Sequence, residues 1–367
     1  MTSDAGDAGR PLRLGPRTQQ RLAVELTAGP QRGLCAEPRA SSTLQIGRAT
    51  DNELQLKGAD VAPYHVDLVA REDGVWVVDL GGASGTWLDD LRLERAVIPY
   101  GNELRVGEHR LRVTQAAPVE LGREEIPDAA LPLVAFARRY REALALAARF
   151  AAGRVPVLLC GEPGAGKRFL ARLVHGWSGR GGALVECSAA GDATAVAARL
   201  FGHAPRSHRG AELGGAGSLQ RARGGTLFLA NVERLPLEVQ GLLSRALRDG
   251  SASPLGSNQP LALDARWVFA TGVDLRPLVN RGYFLEELYF RMAAARVEVP
   301  PLRERLEDLE LLVRHFEALL GVEDPIGPGV VERLRRRYFH ENLRELAQLV
   351  RAARCEPELA GETTHHD

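Results

Sequence analysis

Gly161-Glu162-Pro163-Gly164-Ala165-Gly166-Lys167 is the stretch that decides the fold. It follows the short apolar run Val157-Leu158-Leu159-Cys160 and precedes Phe169-Leu170-Ala171-Arg172-Leu173-Val174-His175. The order is therefore buried strand, glycine-rich turn, helix. Gly161, Gly164 and Gly166 let the backbone curl until its N–H groups converge, and the helix N-terminus adds partial positive charge at the same point. Lys167 brings a full charge to it. Convergent donors beside a lysine form a cradle for the phosphates of a nucleotide, which makes Gly161, Glu162, Pro163, Gly164, Ala165, Gly166, Lys167 and Arg168 candidate contacts for ATP or ADP. Arg168 stands where a Ser or Thr hydroxyl commonly reaches magnesium, so Mg2+ has weak support here.

A second strand sharpens the reading. Acidic residues that hold magnesium and activate water should follow Leu227-Phe228-Leu229, but that run continues into Ala230-Asn231. Without the first carboxylate a metal loses its anchor, and without the second the attacking water loses its base. A positioned base alone is worth about 10²–10⁴ in rate. Glu233 lies two residues on, a shift that is not expected to recreate the same direction. The loop that holds a nucleotide is present, and the residues that would spend it are missing.

Working outward, helices alternate with buried strands over residues 131–320, the pattern of a parallel α/β domain, and residues 321–367 read as a helical subdomain and tail. Residues 1–18 are rich in Gly, Asp, Arg and Pro without periodicity and are expected to be a disordered lead. Residues 19–115 consist of short β-like runs such as Leu22-Ala23-Val24-Glu25-Leu26 and Val75-Trp76-Val77-Val78-Asp79 between turn residues, as in an antiparallel sandwich. Residues 116–130, with Pro118, Gly122 and Pro127, read as a linker.

A length of 367 residues, 45% apolar and 26% charged, suits a globular chain with more than one core. Lys plus Arg balance Asp plus Glu at 47 each, so bulk charge makes no case for nucleic acid or an anionic membrane as partner. Cys35, Cys160, Cys187 and Cys355 have no metal-ligand spacing, and no metal site is expected from them. No apolar run approaches the ~20 residues of a membrane span, and a cytoplasmic protein is expected.

The N-terminal module resembles a forkhead-associated (FHA) domain. The resemblance rests on Ile46-Gly47-Arg48, Asp51-Asn52-Glu53-Leu54, His65 and Ser84-Gly85-Thr86-Trp87-Leu88. It implies a β-sandwich whose apical loops bind phosphothreonine peptides, with Arg48 as the phosphate contact and His65 bracing the loops. The family's Ser-Arg pair is Ala62-Pro63 here, and its asparagine and glycine are Asp89 and Asp90. Two carboxylates near a phosphate site repel it. A partner bound without phosphate and weakened phosphothreonine binding both stay open.

Residues 131–355 resemble the AAA+ domain of bacterial enhancer-binding proteins that act on sigma-54 RNA polymerase. After the phosphate loop come Leu200-Phe201-Gly202-His203, Gly224-Gly225-Thr226-Leu227-Phe228-Leu229, Phe284-Leu285-Glu286-Glu287-Leu288-Tyr289-Phe290-Arg291, Pro300-Pro301-Leu302-Arg303-Glu304-Arg305 and Asn342-Leu343-Arg344-Glu345-Leu346. The resemblance implies a ring that hydrolyses ATP between subunits. It places the missing acids at Ala230 and Asn231, a lost sensor at Gly272, and a lost inter-subunit arginine at Leu285. Arg291 is kept as a candidate finger in trans, and Arg344 as the lid arginine that touches nucleotide. Asn342 is expected to cap the lid helix, with Glu345 completing a capping box. The loop that meets sigma-54 reads Arg206-Ser207-His208-Arg209-Gly210-Ala211, without the family's Phe-Thr pair. The chain ends about a dozen residues after Cys355, too soon for a helix-turn-helix, so no direct DNA-binding domain is expected.

The combined expectation is a multidomain chain, an all-β FHA sandwich followed by an AAA+ α/β domain with a small helical lid. It would bind ATP or ADP, hydrolyse it poorly or not at all, and act as a nucleotide-gated regulator. Its partners would be related AAA+ subunits, sigma-54 RNA polymerase, or a protein held by the sandwich. The alternatives are an active ATPase that drives sigma-54 RNA polymerase, and an interaction scaffold independent of nucleotide.

Overall fold

Five strands build a parallel sheet in the order Leu184–Ser188, Thr226–Ala230, Arg266–Thr271, Val157–Cys160, Ala295–Glu298. Two of the strands interior to the sheet, Arg266–Thr271 and Val157–Cys160, are buried at every position. Strands covered on both sides need unbroken apolar runs, and Val157-Leu158-Leu159-Cys160 is one. Helices Arg138–Ala151 and Lys167–Trp177 supply Leu144, Leu170, Leu173 and Val174 to the core beside Val157, Leu159, Val268 and Val297. The computed structural model describes residues 12–14, 17–38, 42–71, 73–121, 124–126, 137–207, 212–321 and 327–355.

Helices Leu309–Leu319, Pro328–Arg335 and Leu343–Cys355 close on a small core of their own around Leu309, Val313, Leu334, Phe339, Leu346 and Val350. This helical part starts at Leu309, a dozen residues ahead of the boundary read from sequence, because Leu309 and Val313 pack on Leu346 and Val350 rather than on the sheet.

The sandwich has a five-stranded sheet in the order Arg95–Ile98, Gly74–Asp79, Val66–Arg71, Thr43–Gly47, Leu54–Gln55. Its six-stranded sheet runs Cys35–Ala36, Arg17–Ala28, His109–Leu121, Glu103–Val106, Thr86–Leu88, Leu91–Leu93. Alternation does the work: Leu22, Val24 and Leu26 point inward and are at most 1% exposed, and they meet Leu44, Ile46 and Leu68 in one core.

Two segments differ from expectation. The last long strand of the sandwich runs on to Leu121, pairing back to Arg17, where a linker was expected from 116. Its register shifts between Ala116 and Val119, the place where Pro118 cannot donate to the ladder. Leu12–Leu14, inside the expected disordered lead, pairs with Glu124–Ile126, inside the expected linker. Each stretch is featureless alone and becomes a strand because the other satisfies its backbone. The remaining lead and linker residues lie outside the described residues.

By internal contact the chain divides into two compact units. One comprises Met1–Leu14, Glu124–Val273 and Arg291–Asp367, and the other Gly15–Arg123 with Asp274–Phe290. The segment Asp274–Phe290, read from sequence as part of the α/β domain, is thus one unit with the sandwich. Among the described residues no helix is long and apolar enough to cross a membrane.

Candidate functional site

The loop Gly161–Lys167 emerges from the strand Val157–Cys160 and ends at Gly166, whose φ of 105° heads the helix Lys167–Trp177. The left-handed region suits glycine, and it turns the chain so that the helix N-terminus faces the loop. The Lys167 ammonium folds back over this loop and donates to the carbonyl oxygens of Gly161 (2.5 Å) and Glu162 (2.9 Å). Burial pushes its pKa below the ordinary lysine value, opposed by the Glu233 carboxylate. A half-buried cation among glycines, on a helix N-terminus, fits a phosphate chain, which would take over from those two carbonyls as partner.

Arg168 leaves the loop. Its guanidinium pairs with Glu186 on the edge strand at 2.6 Å. The positive charge that Arg168 sets next to Lys167 is therefore paired with a partner that sequence spacing did not reveal.

Arg303 and Arg305, just ahead of the C-terminal helical part, and Asn342 within it lock the other side of the loop. Glu162 accepts two bonds from Arg303, Nη1–Oε2 2.8 Å and Nη2–Oε1 2.6 Å, and one from Asn342 Nδ2 at 3.1 Å. Those donors, Arg303 first, hold the Glu162 carboxyl below the usual range. Asn342 Nδ2 also donates to Pro163 O (3.0 Å), and Asn342 Oδ1 accepts from Leu302 N (2.7 Å). Arg305, 1% exposed, donates to Ala165 O at 2.6 Å and lies over the Tyr140 ring. The lid backbone comes closer still: Leu343 N donates to Gly164 O at 3.1 Å, and a Cβ on Gly164 would meet Glu341 O at 1.9 Å.

The capping expectation for Asn342 is corrected here. Its side chain serves Glu162, Pro163 and Leu302 instead of the helix it precedes. Glu345 does reach back, but to Glu341 N at 3.2 Å. Arg344 points outward, 61% exposed, with Glu341 at 3.6 Å, and its charge still acts on Lys167. It stands on the lid at the loop.

The acid-poor strand Thr226–Ala230 ends level with Ala270 and Ser188. Asn231 then adopts φ 59°, a conformation Asn tolerates better than most residues, and its Nδ2 donates to Ser188 Oγ at 3.3 Å. The turn feeds the short 3₁₀ helix Val232–Arg234 and swings Glu233 back towards the sheet. Glu233 Oε2 accepts from Gly272 N at 3.4 Å, and a Cβ on Gly272 would sit 3.4 Å from Glu233 Oε1 and 3.8 Å from Pro163. Gly272 is where the family's sensor side chain is missing, and the Glu233 carboxylate borders that space. The left-handed turn at Asn231 thus sets Glu233 beside Gly272, a place that the two-residue spacing did not reveal. Among the described residues no group of three or more His, Cys, Asp or Glu could hold a metal ion.

The other expected residues lie elsewhere. Arg291 is half-buried on the helix Glu286–Met292, and Leu285 is 36% exposed just before it. In the sandwich Arg48 is exposed, its backbone N–H bonded to Ala62 O at 2.9 Å and its Nε to Val61 O at 3.4 Å. His65 is fully buried, accepts from Ala62 N at Nδ1 (3.1 Å) and places Nε2 on Gly85 O (3.2 Å), a loop brace as expected. Asp89 and Asp90 are exposed. His208, Arg209, Gly210 and Ala211 of the altered sigma-contacting loop lie outside the described residues.

Residues 133–298 match the family described as the Sigma-54 interaction domain, and residues 44–107 match the FHA domain. The chain is similar to the DNA-binding transcriptional regulator NtrC of Azospirillum brasilense, 36% identical over 242 residues, 64% of this chain and 50% of that protein. It spans about half the length of the curated relatives it matches first. It is also similar to the solved structures of NtrX from Brucella abortus in complex with ADP and with ATP. The first has 29% identity and a TM-score of 0.54, covering 60% of this chain and 49% of that one. The second has 27% identity and a TM-score of 0.54, covering 65% and 55%.

Proposed function

We propose that this chain, an FHA domain joined to the AAA+ sigma-54 interaction domain of sigma-54-dependent transcriptional regulators, holds ATP or ADP and turns ATP over slowly. One observation carries the reading: Lys167 and the glycine loop are kept at a helix N-terminus, while the strand Thr226–Ala230, one strand removed in the same sheet, ends on Ala230 and a left-handed Asn231. A scaffold independent of nucleotide has no physical need for a half-buried lysine among glycines. Lys167, the loop N–H groups and Arg344 are the groups that would hold the phosphates. Magnesium would find neither a hydroxyl at Arg168 nor a carboxylate at Ala230.

The regulator would work through contact: with related AAA+ subunits, to which Arg291 could be presented in trans, with sigma-54 RNA polymerase, and with a protein held by the sandwich at Arg48. The NtrX structures with ADP and with ATP support nucleotide binding by analogy. A second reading, a competent ATPase, draws on the Glu233 carboxylate beside Gly272 and its field at Lys167.

Binding and turnover measured on one preparation separate the readings. ADP or ATP at a hundred times its Kd should stabilise the fold by about 2.7 kcal/mol, and Lys167→Ala should abolish the shift. A thermal midpoint that ignores millimolar nucleotide would favour the scaffold. Fast steady-state turnover lost in Lys167→Ala would establish the ATPase.

A further inference from the structure

The sandwich makes a set of contacts that its apical Arg48 loop does not explain. Val66 and Leu68 face the sandwich core, so the alternation of the strand Val66–Arg71 puts Asp67 on the outer face of its sheet. Asp67 is nevertheless only 8% exposed. It receives both terminal nitrogens of Arg276, Nη1–Oδ1 2.7 Å and Nη2–Oδ2 2.7 Å. Asp274 takes the other side of the same guanidinium, with Nε at 3.1 Å and Nη2 at 2.6 Å. Arg276 is 3% exposed, so one buried cation is shared by two carboxylates.

One turn later Asn280 reads the sandwich backbone. Its Nδ2 donates to Tyr64 O (2.6 Å) and Leu80 O (2.9 Å), and its Oδ1 accepts from Tyr64 N (3.2 Å). Tyr289 packs edge-on against Tyr64 with ring centroids 5.0 Å apart. Tyr64 in turn gives its hydroxyl to Asp51 at 3.0 Å. All these residues belong to one compact unit. A bidentate guanidinium–carboxylate pair with a three-bond amide contact is directional and desolvated, the chemistry of specific recognition.

We propose that the sandwich has a second recognition surface, formed by Asp67, Tyr64 and the Leu80 carbonyl, whose ligand is the chain's own helix Arg276–Asn280. This surface anchors to the sandwich the polypeptide that leads, through Tyr289, to Arg291. It is separate from the Arg48 phosphate position but shares a backbone with it, because Ala62 and Pro63 accept from the N–H groups of Arg48 and Ala49. The FHA domain then serves as an integral holder of the segment before the candidate finger, whether or not it reads phosphothreonine.

Hydrogen exchange read by mass spectrometry on the full chain tests this. In Asp67→Ala and Arg276→Ala, peptides covering residues 276–290 should exchange about tenfold faster or more, as a locally released unit does. Peptides from the strands Gly74–Asp79 and Val157–Cys160 should keep the wild-type rate, and the charge swap Asp67→Arg with Arg276→Asp should recover part of the protection. Asn280→Ala, which buries no lone charge, gives the same readout if the charge variants fail to fold. Unchanged exchange across 276–290 in these variants would overturn the proposal, as would equal loosening of the whole sandwich.

Discussion

Glu233 shows how one residue decides between two chemistries. Its carboxylate borders the side chain missing at Gly272 and offsets the effect of burial on Lys167. If the slow turnover proposed here runs through this carboxylate, Glu233→Gln should lower it by about 10²-fold or more while leaving ADP affinity within about twofold. Single-turnover kinetics beside equilibrium ADP binding check both halves. His65 makes a pH test at the same scale. Burial lowers its pKa from the ordinary value of 6.5, so the folded sandwich holds it neutral. The unfolded chain takes up the proton first as pH falls. The contribution is thus fully present above pH 6.5 and is lost as pH drops through that value towards the folded one. Denaturant midpoints of the wild type should fall between pH 7 and pH 5, and His65→Gln should flatten that dependence.

Among the elements, the junction between loop and lid carries the most constraint. Gly164 has φ 76° and a carbonyl already bonded to Leu343 N. An added methyl group would have to displace the Glu341 carbonyl, which is backbone and cannot rotate away. Gly164→Ala should therefore cost about 1–3 kcal/mol of stability in denaturant unfolding and weaken the shift produced by ADP. The strand Val157–Cys160 and the helix Lys167–Trp177 could be read from the sequence because an apolar run, glycines and an amphipathic stretch are local signals. The role of Asn342 could not. Its spacing to Glu345 is that of a capping box, yet Glu162 and Pro163, some 180 residues away, compete for the same side chain and win it. Arg303 and Arg305 lay in a recognised block, but nothing in that block says that they grip Glu162 and the Ala165 carbonyl.

Over the whole molecule, the two expected architectures are present, an FHA sandwich and an AAA+ domain with a parallel sheet, in the expected order along the chain. What the pattern of residues misplaced is the grouping of Asp274–Phe290, which forms one unit with the sandwich although it follows the sensor strand in sequence. Removing either side of its buried Arg276–Asp67 pair would strand a charge, and such losses run to about 3–5 kcal/mol, enough to separate local release from a whole-unit effect in the exchange experiment. By itself the sequence determined the element types, the order of the domains, the phosphate loop around Lys167 and the absence of acids at Ala230 and Asn231, because each of these is written in neighbouring residues. Only the tertiary structure decided where Glu233 points, what Asn342 and Arg168 bind, and which unit claims Arg276. Those outcomes depend on groups brought together from distant parts of the chain, Asp67 and Arg276 being 209 residues apart, and the burial that makes such pairs selective exists only once the chain has folded.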